Sequence, residues 1–338
     1  MKRVLSVLVA AFLIMGCISG CSPSASAAPA SSKSADNKKL KIVATIFPEY
    51  DWVKNVLGDL SDNAELTLLL DKGVDLHSFQ PTAADIMKIS SCDLFIYVGG
   101  ESDKWVDGAL KEAVNKNMVV INLMETLGDA VKEEELVEGM QGEEEHEHEG
   151  SSEAHEEEEK EYDEHVWLSL KNAATCVGKI SEALQKLDGA NADKYKANAA
   201  SYTDKLTNLD KEYAKAVESG KQKTLLFGDR FPFRYMTEDY KLKYYAAFIG
   251  CSAETEASFE TISFLAKKAD ELSLNSILTI EGSDKKIAET INSNTKRKNL
   301  KILTLDSLQS TTSDNVKNGA SYLSAMEKNL EILKEALQ

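Results

Sequence analysis

All five histidines of this chain lie between positions 77 and 165, so any site built from imidazole must draw on that interval. His77 stands in Gly-Val-Asp-Leu-His-Ser-Phe-Gln-Pro-Thr, and His165 stands in Asp-Glu-His-Val-Trp-Leu-Ser-Leu. Neutral imidazole is a good ligand for zinc and related divalent metals. A single histidine is more often a packed core or surface residue, but two at the edges of ordered elements, beside a histidine-rich segment, favour a metal site.

The other three histidines lie in a strongly acidic segment. Residues 133–164 hold seventeen acidic side chains against the single Lys160, and this run contains His146, His148 and His155. Its like charges repel and it offers few apolar residues to pack, so we expect a loop over 133–162. Imidazole and carboxylate at high local density favour an auxiliary, weak metal-collecting role, with a solvated acidic linker as the alternative.

Overall charge and length exclude some classes of protein. The 39 basic and 56 acidic residues give a net charge of −17, the wrong sign for a nucleic-acid partner. The length of 338 residues is enough for two domains with full-sized cores. We therefore expect a folded protein that binds no nucleic acid.

The N-terminus is typical of an exported protein. Lys2 and Arg3 precede an apolar run over 4–15, which predicts a signal peptide over 1–20. The sequence Ile-Ser-Gly-Cys resembles a bacterial lipobox ending at Cys21, with Cys17 as a second candidate and a plain secreted protein as the alternative. Residues 21–39 are rich in Ser, Ala and Pro and then polar, which predicts a flexible tether. We expect a lipid-anchored protein outside a bacterial cell membrane.

The elements that must position the histidines are predicted to alternate between strand and helix, once in each half of the chain. Such alternation predicts parallel βαβ units, and hence an α/β fold of two lobes, each with a parallel sheet flanked by helices. The predicted strands cover 40–47, 66–70, 94–98, 119–123, 225–227, 244–248, 276–280 and 301–305.

A long helix is predicted between the two halves. Apolar and aromatic residues recur every three or four positions from Tyr195 to Val217, without an internal Pro or Gly. We interpret it as one rigid connector between the lobes, the alternative being an ordinary surface helix of the second lobe. The predicted domains are an N-terminal lobe over 40–188, a connecting helix over 189–219 and a C-terminal lobe over 220–338.

Two motifs resemble those of a known family, the metal-binding lipoproteins of bacterial ABC importers (cluster A-I). Residues 73–82 are similar to the family pattern G-V-D-P-H-S-F-E-P-T, and residues 163–170 are similar to D-P-H-V-W-L-D-P. An acidic, histidine-rich insertion directly before the second motif is typical of the zinc-type members. The resemblance extends from about residue 40 to the C-terminus, and residues 250–258 also look like a family segment.

The resemblance implies a set of metal ligands. His77 and His165 would be ligands from the first lobe, and an acidic residue after a later strand maps to Glu281. The third family ligand, usually His, aligns with Gly228, which is a departure. We expect Asp229 to replace it.

Arg230 would then orient Asp229 or balance its charge. The alternative is that Asp229 forms a structural ion pair with Arg234 instead of binding metal.

Cysteine is not expected to contribute to the metal site. Cys92, Cys176 and Cys251 are an odd number without C-x-x-C spacing, which indicates neither a disulfide framework nor a thiolate zinc cage. Buried single thiols are the simpler interpretation.

The resemblance implies a monomeric receptor, not an enzyme, which binds a divalent metal between two lobes and delivers it to an ABC permease in the membrane. Two imidazoles and two carboxylates suit zinc, with manganese as the alternative, and the histidine-rich loop favours zinc. An exported zinc hydrolase is disfavoured because neither H-E-x-x-H nor G-x-S-x-G occurs. A surface adhesin that shares the scaffold stays open at this point.

Overall fold

The computed structural model describes residues 39–142, 161–252 and 256–338. The strands in these ranges are β1 (Leu40–Ala44), β2 (Ala64–Leu68), β3 (Leu94–Tyr97), β4 (Val119–Asn122), β5 (Thr224–Phe231), β6 (Lys243–Ile249), β7 (Ser276–Ile280) and β8 (Lys301–Leu305). The α-helices are α1 (Phe47–Leu57), α2 (Ala83–Ser91), α3 (Val106–Lys111), α4 (Leu123–Leu127), α5 (Leu170–Leu187), α6 (Ala192–Ser219), α7 (Arg234–Tyr240), α8 (Phe259–Glu271), α9 (Lys286–Asn294), α10 (Ser313–Lys317) and α11 (Tyr322–Ala336).

Two four-stranded parallel sheets carry the architecture. Their strand orders are β2-β1-β3-β4 and β6-β5-β7-β8, so the second sheet repeats the topology of the first. Every residue of β3 and β7 is buried, as expected for central strands covered by helices on both faces. The predicted α/β fold of two parallel sheets flanked by helices is confirmed. In such sheets the loops at the carboxyl ends of the strands are where ligands bind.

The long helix is also confirmed. Helix α6 has 28 residues and follows a 3₁₀ turn at Gly189–Asn191. Its buried face, which includes Tyr195, Leu206 and Tyr213, packs against α1, α5 and α11. The C-terminal helix α11 therefore returns across the molecule to the helices of the first sheet.

One buried hydrogen bond fastens the long helix to α11, and its removal gives a stability prediction. The hydroxyl of Tyr213, fully buried, donates to the backbone carbonyl of Met326 at 2.6 Å. We expect Tyr213→Phe to lower the free energy of unfolding by about 1–2 kcal/mol, because a buried carbonyl loses a partner. Urea denaturation measures this, with Tyr162→Phe, at a side chain 43% exposed, as the matched control. Equal stability of the two variants would contradict the prediction.

Both sheets belong to one compact unit. Over the three described ranges, none of the helices combines the length and the apolar composition needed to cross a membrane. The predicted signal peptide (1–20), Cys17, Cys21, the tether apart from Lys39, and His146, His148 and His155 lie outside the described residues.

Candidate metal centre

His77 is positioned by a turn after the second strand of the first sheet. It lies in a 3₁₀ turn at Leu76–Ser78, which begins where the Asp75 carboxylate accepts a hydrogen bond from the backbone N–H of His77 at 3.0 Å. The other carboxylate oxygen of Asp75 forms an ion pair with Arg230 of β5. The loop that carries His77 is therefore held against the second sheet.

His165 is positioned by the turn that leads into α5. Its backbone N–H donates to the Asp163 carboxylate at 2.8 Å, and the 3₁₀ turn Val166–Leu168 follows directly. Within that turn the indole N–H of Trp167 donates to the backbone carbonyl of Ser307, in the loop after β8, at 2.9 Å. This turn too is fastened to the second sheet.

The two imidazoles meet face to edge at the site. Their Nε2 atoms lie 3.1 Å apart and share a hydrogen bond, and the ring centroids are 5.1 Å apart. Two Zn–N bonds of about 2.0–2.1 Å at a tetrahedral angle separate the nitrogens by about 3.4 Å. His77 and His165, 88 positions apart in the chain, therefore already have nearly the spacing of two ligands on one ion.

The opposite ring nitrogens are held by polar partners. Nδ1 of His165 bonds the Asp163 carboxylate at 3.0 Å, and Nδ1 of His77 shares a hydrogen bond of 2.7 Å with the Ser102 hydroxyl. The Asp163 carboxylate keeps the proton of His165 on Nδ1, so the ring's lone pair lies on Nε2, where it accepts from His77 and where a metal can take it instead.

Burial and charge act differently on the two imidazoles. Burial and the neighbouring His165 lower the pKa of His77 to about 3. Burial also disfavours a charged His165, but the carboxylates of Asp163, Glu164 and Asp75 together outweigh burial and raise the pKa of His165. His77 is thus the neutral imidazole that a metal ligand must be.

A cysteine and two carboxylates lie beside the histidine pair. The sulfur of Cys251 and one ring nitrogen each of His77 and His165 all lie within 4.8 Å of one another. The Cys251 thiol hydrogen-bonds the Glu134 carboxylate, and burial, followed by Glu134, raises the thiol pKa. Glu164 is buried, and its Oε1 accepts from the backbone N–H of Ser102 at 2.8 Å. His77, Cys251 and the two glutamates line one cleft of about 270 Å³.

Cys251 is the residue that sequence reasoning passed over. Cys92 and Cys176 are buried free thiols, as expected, whereas Cys251 is half-buried on the loop that follows β6. The signal available in the sequence was its position in the segment 250–258, which resembles the family, directly after a predicted strand.

The structure places Asp229 and Glu281 outside the cluster formed by the two histidines and Cys251. Both line an adjoining cleft of about 440 Å³. The Asp229 oxygens accept from the backbone N–H groups of Arg230 at 2.9 Å and Ile280 at 3.2 Å. Glu281 accepts from the backbone N–H of Ser307 at 2.6 Å and from its hydroxyl at 2.7 Å. Each carboxylate is therefore already occupied by hydrogen bonds.

The two arginines that the sequence associated with Asp229 face other carboxylates. Arg230 pairs with Asp75, and Arg234 pairs with Glu135.

Burial raises the pKa of Glu281, with a further contribution from Asp306. A metal therefore competes with a proton for Glu281 more than it would for an exposed glutamate.

Gly228, the position that the resemblance aligns with the family's third histidine, has no room for a side chain. A Cβ atom at this position would lie 2.6 Å from the Cα atom of Ala288 in α9, a backbone atom that cannot move aside alone. Helix α9 therefore packs directly on β5 at this point, and no side chain fits there.

This packing gives a second stability prediction. We expect Gly228→Ala to destabilise the protein by about 1–3 kcal/mol, because the new methyl group overpacks the β5–α9 contact. Gly178→Ala in α5 is the matched control: its Cβ meets no atom within 4 Å among the described residues, and alanine favours the helix, so stability stays the same or rises slightly. Chemical denaturation of the two variants measures the difference, and a Gly228→Ala protein as stable as the parent would refute the packing argument.

Comparison with known proteins identifies the family of this chain. A family model described as "ZnuA: Zinc-uptake complex component A periplasmic" matches residues 42–336. The chain is 31% identical over 308 residues to the zinc-binding protein AdcA of Streptococcus pyogenes, covering 88% of this chain and 56% of that protein. It is 33% identical over 333 residues to the high-affinity zinc uptake system protein ZnuA of Bacillus subtilis, covering 98% and 97%.

A solved structure is also similar. The Zn(II)-bound ZnuA-like domain of Streptococcus pneumoniae AdcA matches with a TM-score of 0.67 and 29% identity, covering 88% of this chain and 99% of that one. The chain spans only about half, 56%, of the length of the AdcA relatives it matches. The resemblance suggested by residues 73–82 and 163–170 is confirmed: the chain belongs to the ZnuA family of zinc-uptake components.

Proposed function

We propose that this chain is the extracytoplasmic receptor of a zinc-uptake system and performs no catalysis. The observation that carries the proposal is the 3.1 Å approach of the two Nε2 atoms of His77 and His165 at the loops of the first sheet. The relatives named as zinc-binding and zinc-uptake proteins support it.

Zinc is the proposed cargo, with manganese as the alternative. Imidazole nitrogens suit zinc, whereas manganese prefers oxygen donors. A carboxylate-rich cleft beside the histidines, with Glu134 and Glu164, supplies negative charge that offsets the charge of a dication.

Asp229 and Glu281 stay predicted ligands. Either would have to exchange a backbone hydrogen bond for a metal bond, because their oxygens already accept from N–H groups. Asp229→Asn and Glu281→Gln remove the charge and keep one of the two acceptor oxygens of each side chain. The affinity of each variant for zinc, in protein that circular dichroism shows to be folded, tests its ligation separately.

The partner and the location are proposed from the sequence. We infer that the chain carries a signal peptide and is lipidated at Cys21, with Cys17 as the second candidate. As a monomer it would deliver zinc to an ABC permease in the membrane. The histidine-rich loop with His146, His148 and His155 would collect metal weakly. Growth of a deletion strain under zinc starvation distinguishes the receptor from a surface adhesin, since loss of a pure adhesin leaves growth unchanged.

Metal stoichiometry tests the proposal directly. The metal-stripped full chain is dialysed against zinc or manganese in the presence of a competing chelator, and bound metal is counted by mass spectrometry. We expect about one zinc ion per chain to survive the chelator and manganese to be lost. Retention of neither metal would overturn the proposed function, and retention of manganese alone would favour the alternative cargo.

A further inference from the structure

The loop after β6 brings a thiol to the histidine pair from the second sheet. Cys251 lies two residues after the end of β6, and its sulfur lies within 4.8 Å of one ring nitrogen of His77 and one of His165. In the described part of the chain this is the one group of three metal-binding side chains whose donor atoms come so close together. The two histidines belong to the first sheet's loops and the cysteine to the second sheet.

We infer that Cys251 is the third zinc ligand, in the place that the family gives to an imidazole after the first strand of the second sheet. This inference rests on the proposed zinc-binding function and adds a ligand type to it. The imidazole cannot come from position 228, because α9 fills the space where its side chain would begin. The loop after the neighbouring strand β6 supplies the thiol instead.

The loop after β6 packs closely against the His165 ring because residue 250 has no side chain. Gly250 lies against the imidazole of His165: a Cβ atom here would stand 3.0 Å from Cε1 and 3.1 Å from Nδ1 of that ring. It would also stand 2.9 Å from the carbonyl oxygen of Phe231. The absence of a side chain at position 250 therefore lets the loop lie directly against the ring of His165, with Cys251 as the next residue.

The distances fit a small adjustment. Zn–S and Zn–N bonds of about 2.3 and 2.0–2.1 Å at a tetrahedral angle place sulfur about 3.6 Å from each nitrogen. The cluster is within 4.8 Å, so closing on an ion needs movement of about an ångström in a half-buried loop residue. Zinc accepts mixed sulfur and nitrogen ligands, and thiolate selects against manganese.

A second observation at the same cleft points to a cation. Glu164 is 1% exposed, and its Oε2 has no hydrogen-bond partner among the described residues while it lies 3.4 Å from Nδ1 of His77. A buried carboxylate oxygen without a partner is costly unless positive charge stands nearby. When zinc binds, a Zn–S bond replaces the S–H bond of Cys251 and the proton passes to the buffer.

Cobalt and zinc titrations of the full chain test the inference. Cobalt(II) bound through a thiolate gives a sulfur-to-metal charge-transfer band in the near ultraviolet, and we expect this band in the parent and its absence from Cys251→Ala. We expect Cys251→Ala to weaken zinc binding on the order of 10²-fold, measured by chelator competition. Cys176→Ala, a buried thiol remote from the cluster, is the matched control, and Asp229→Asn tests the competing third ligand.

The outcomes separate the two proposals. A parent that binds zinc tightly, with Cys251→Ala unchanged in affinity and in its cobalt spectrum, overturns the cysteine ligand and leaves the receptor intact. A loss on Asp229→Asn but not on Cys251→Ala assigns the third position to Asp229. A parent that retains no zinc under the chelator overturns the receptor itself. Circular dichroism of each metal-free variant excludes loss of folding as the cause.

Discussion

Replacing His77 and His165 together by alanine will weaken zinc binding on the order of 10⁴-fold. A protein zinc site with four ligands is worth roughly 10–16 kcal/mol, or about 3 kcal/mol a ligand, which corresponds to about 10²-fold for each ligand removed. The two Nε2 atoms lie 3.1 Å apart, so both would bind the same ion. Competition with a chromophoric zinc chelator measures the loss.

The other histidines provide the control. Alanine at His146, His148 and His155 together removes three imidazoles, one more than the double variant loses, yet we expect the tight site to keep its affinity. Only the number of weakly bound ions, or the rate of capture from scarce zinc, should change. Tight binding that survives in the His77/His165 double variant, or that disappears with the loop histidines, would refute the assignment of the site.

Changing Glu49 to glutamine will flatten the dependence of stability on pH. Glu49 lies in α1 and is fully buried. Its Oε2 accepts from the backbone N–H of Thr45 at 2.8 Å and from that of Ile46 at 3.3 Å, while Oε1 has no hydrogen-bond partner in the described ranges. Burial, with the nearby Asp103, raises the pKa of Glu49 from 4.5 to about 8. The folded protein therefore keeps a proton here that the unfolded chain releases.

The sign follows from that difference. Below pH 4.5 both states hold the proton; between there and pH 8 only the folded state does, so stability falls as pH rises. Over this range the loss attributable to Glu49 is about 5 kcal/mol.

Urea denaturation of the parent and of Glu49→Gln at pH 5, 6.5 and 8 measures this loss. We expect the variant to be the less stable protein at pH 5, because its amide buries two N–H donors without an acceptor and the protonated carboxyl buries only one O–H. The variant should gain on the parent towards pH 8. Glu65→Gln, at an exposed carboxylate, is the control that leaves the profile unchanged. Parallel profiles for the parent and Glu49→Gln would show that Glu49 ionises normally.

Much of the fold followed from local pattern. The strand β7 is a short apolar run between polar turns, and α6 repeats its apolar face every three or four residues. Both elements can therefore be predicted from a short stretch of sequence. The two histidine ligands could be predicted in the same way, because His77 and His165 stand in motifs beside predicted strand and helix ends.

The sequence by itself determined which residue types could bind zinc and on which loops they would stand, since hydrophobic periodicity sets the elements and the elements set the loops. Only the tertiary structure decided which of them meet. Packing of α9 on β5 leaves no room at Gly228, backbone N–H groups occupy Asp229 and Glu281, and the close approach at Gly250 brings Cys251 to the two histidines. These outcomes depend on contacts between segments far apart in the chain. A difference of about an ångström decides whether two such segments can touch, and local periodicity carries no information about that distance.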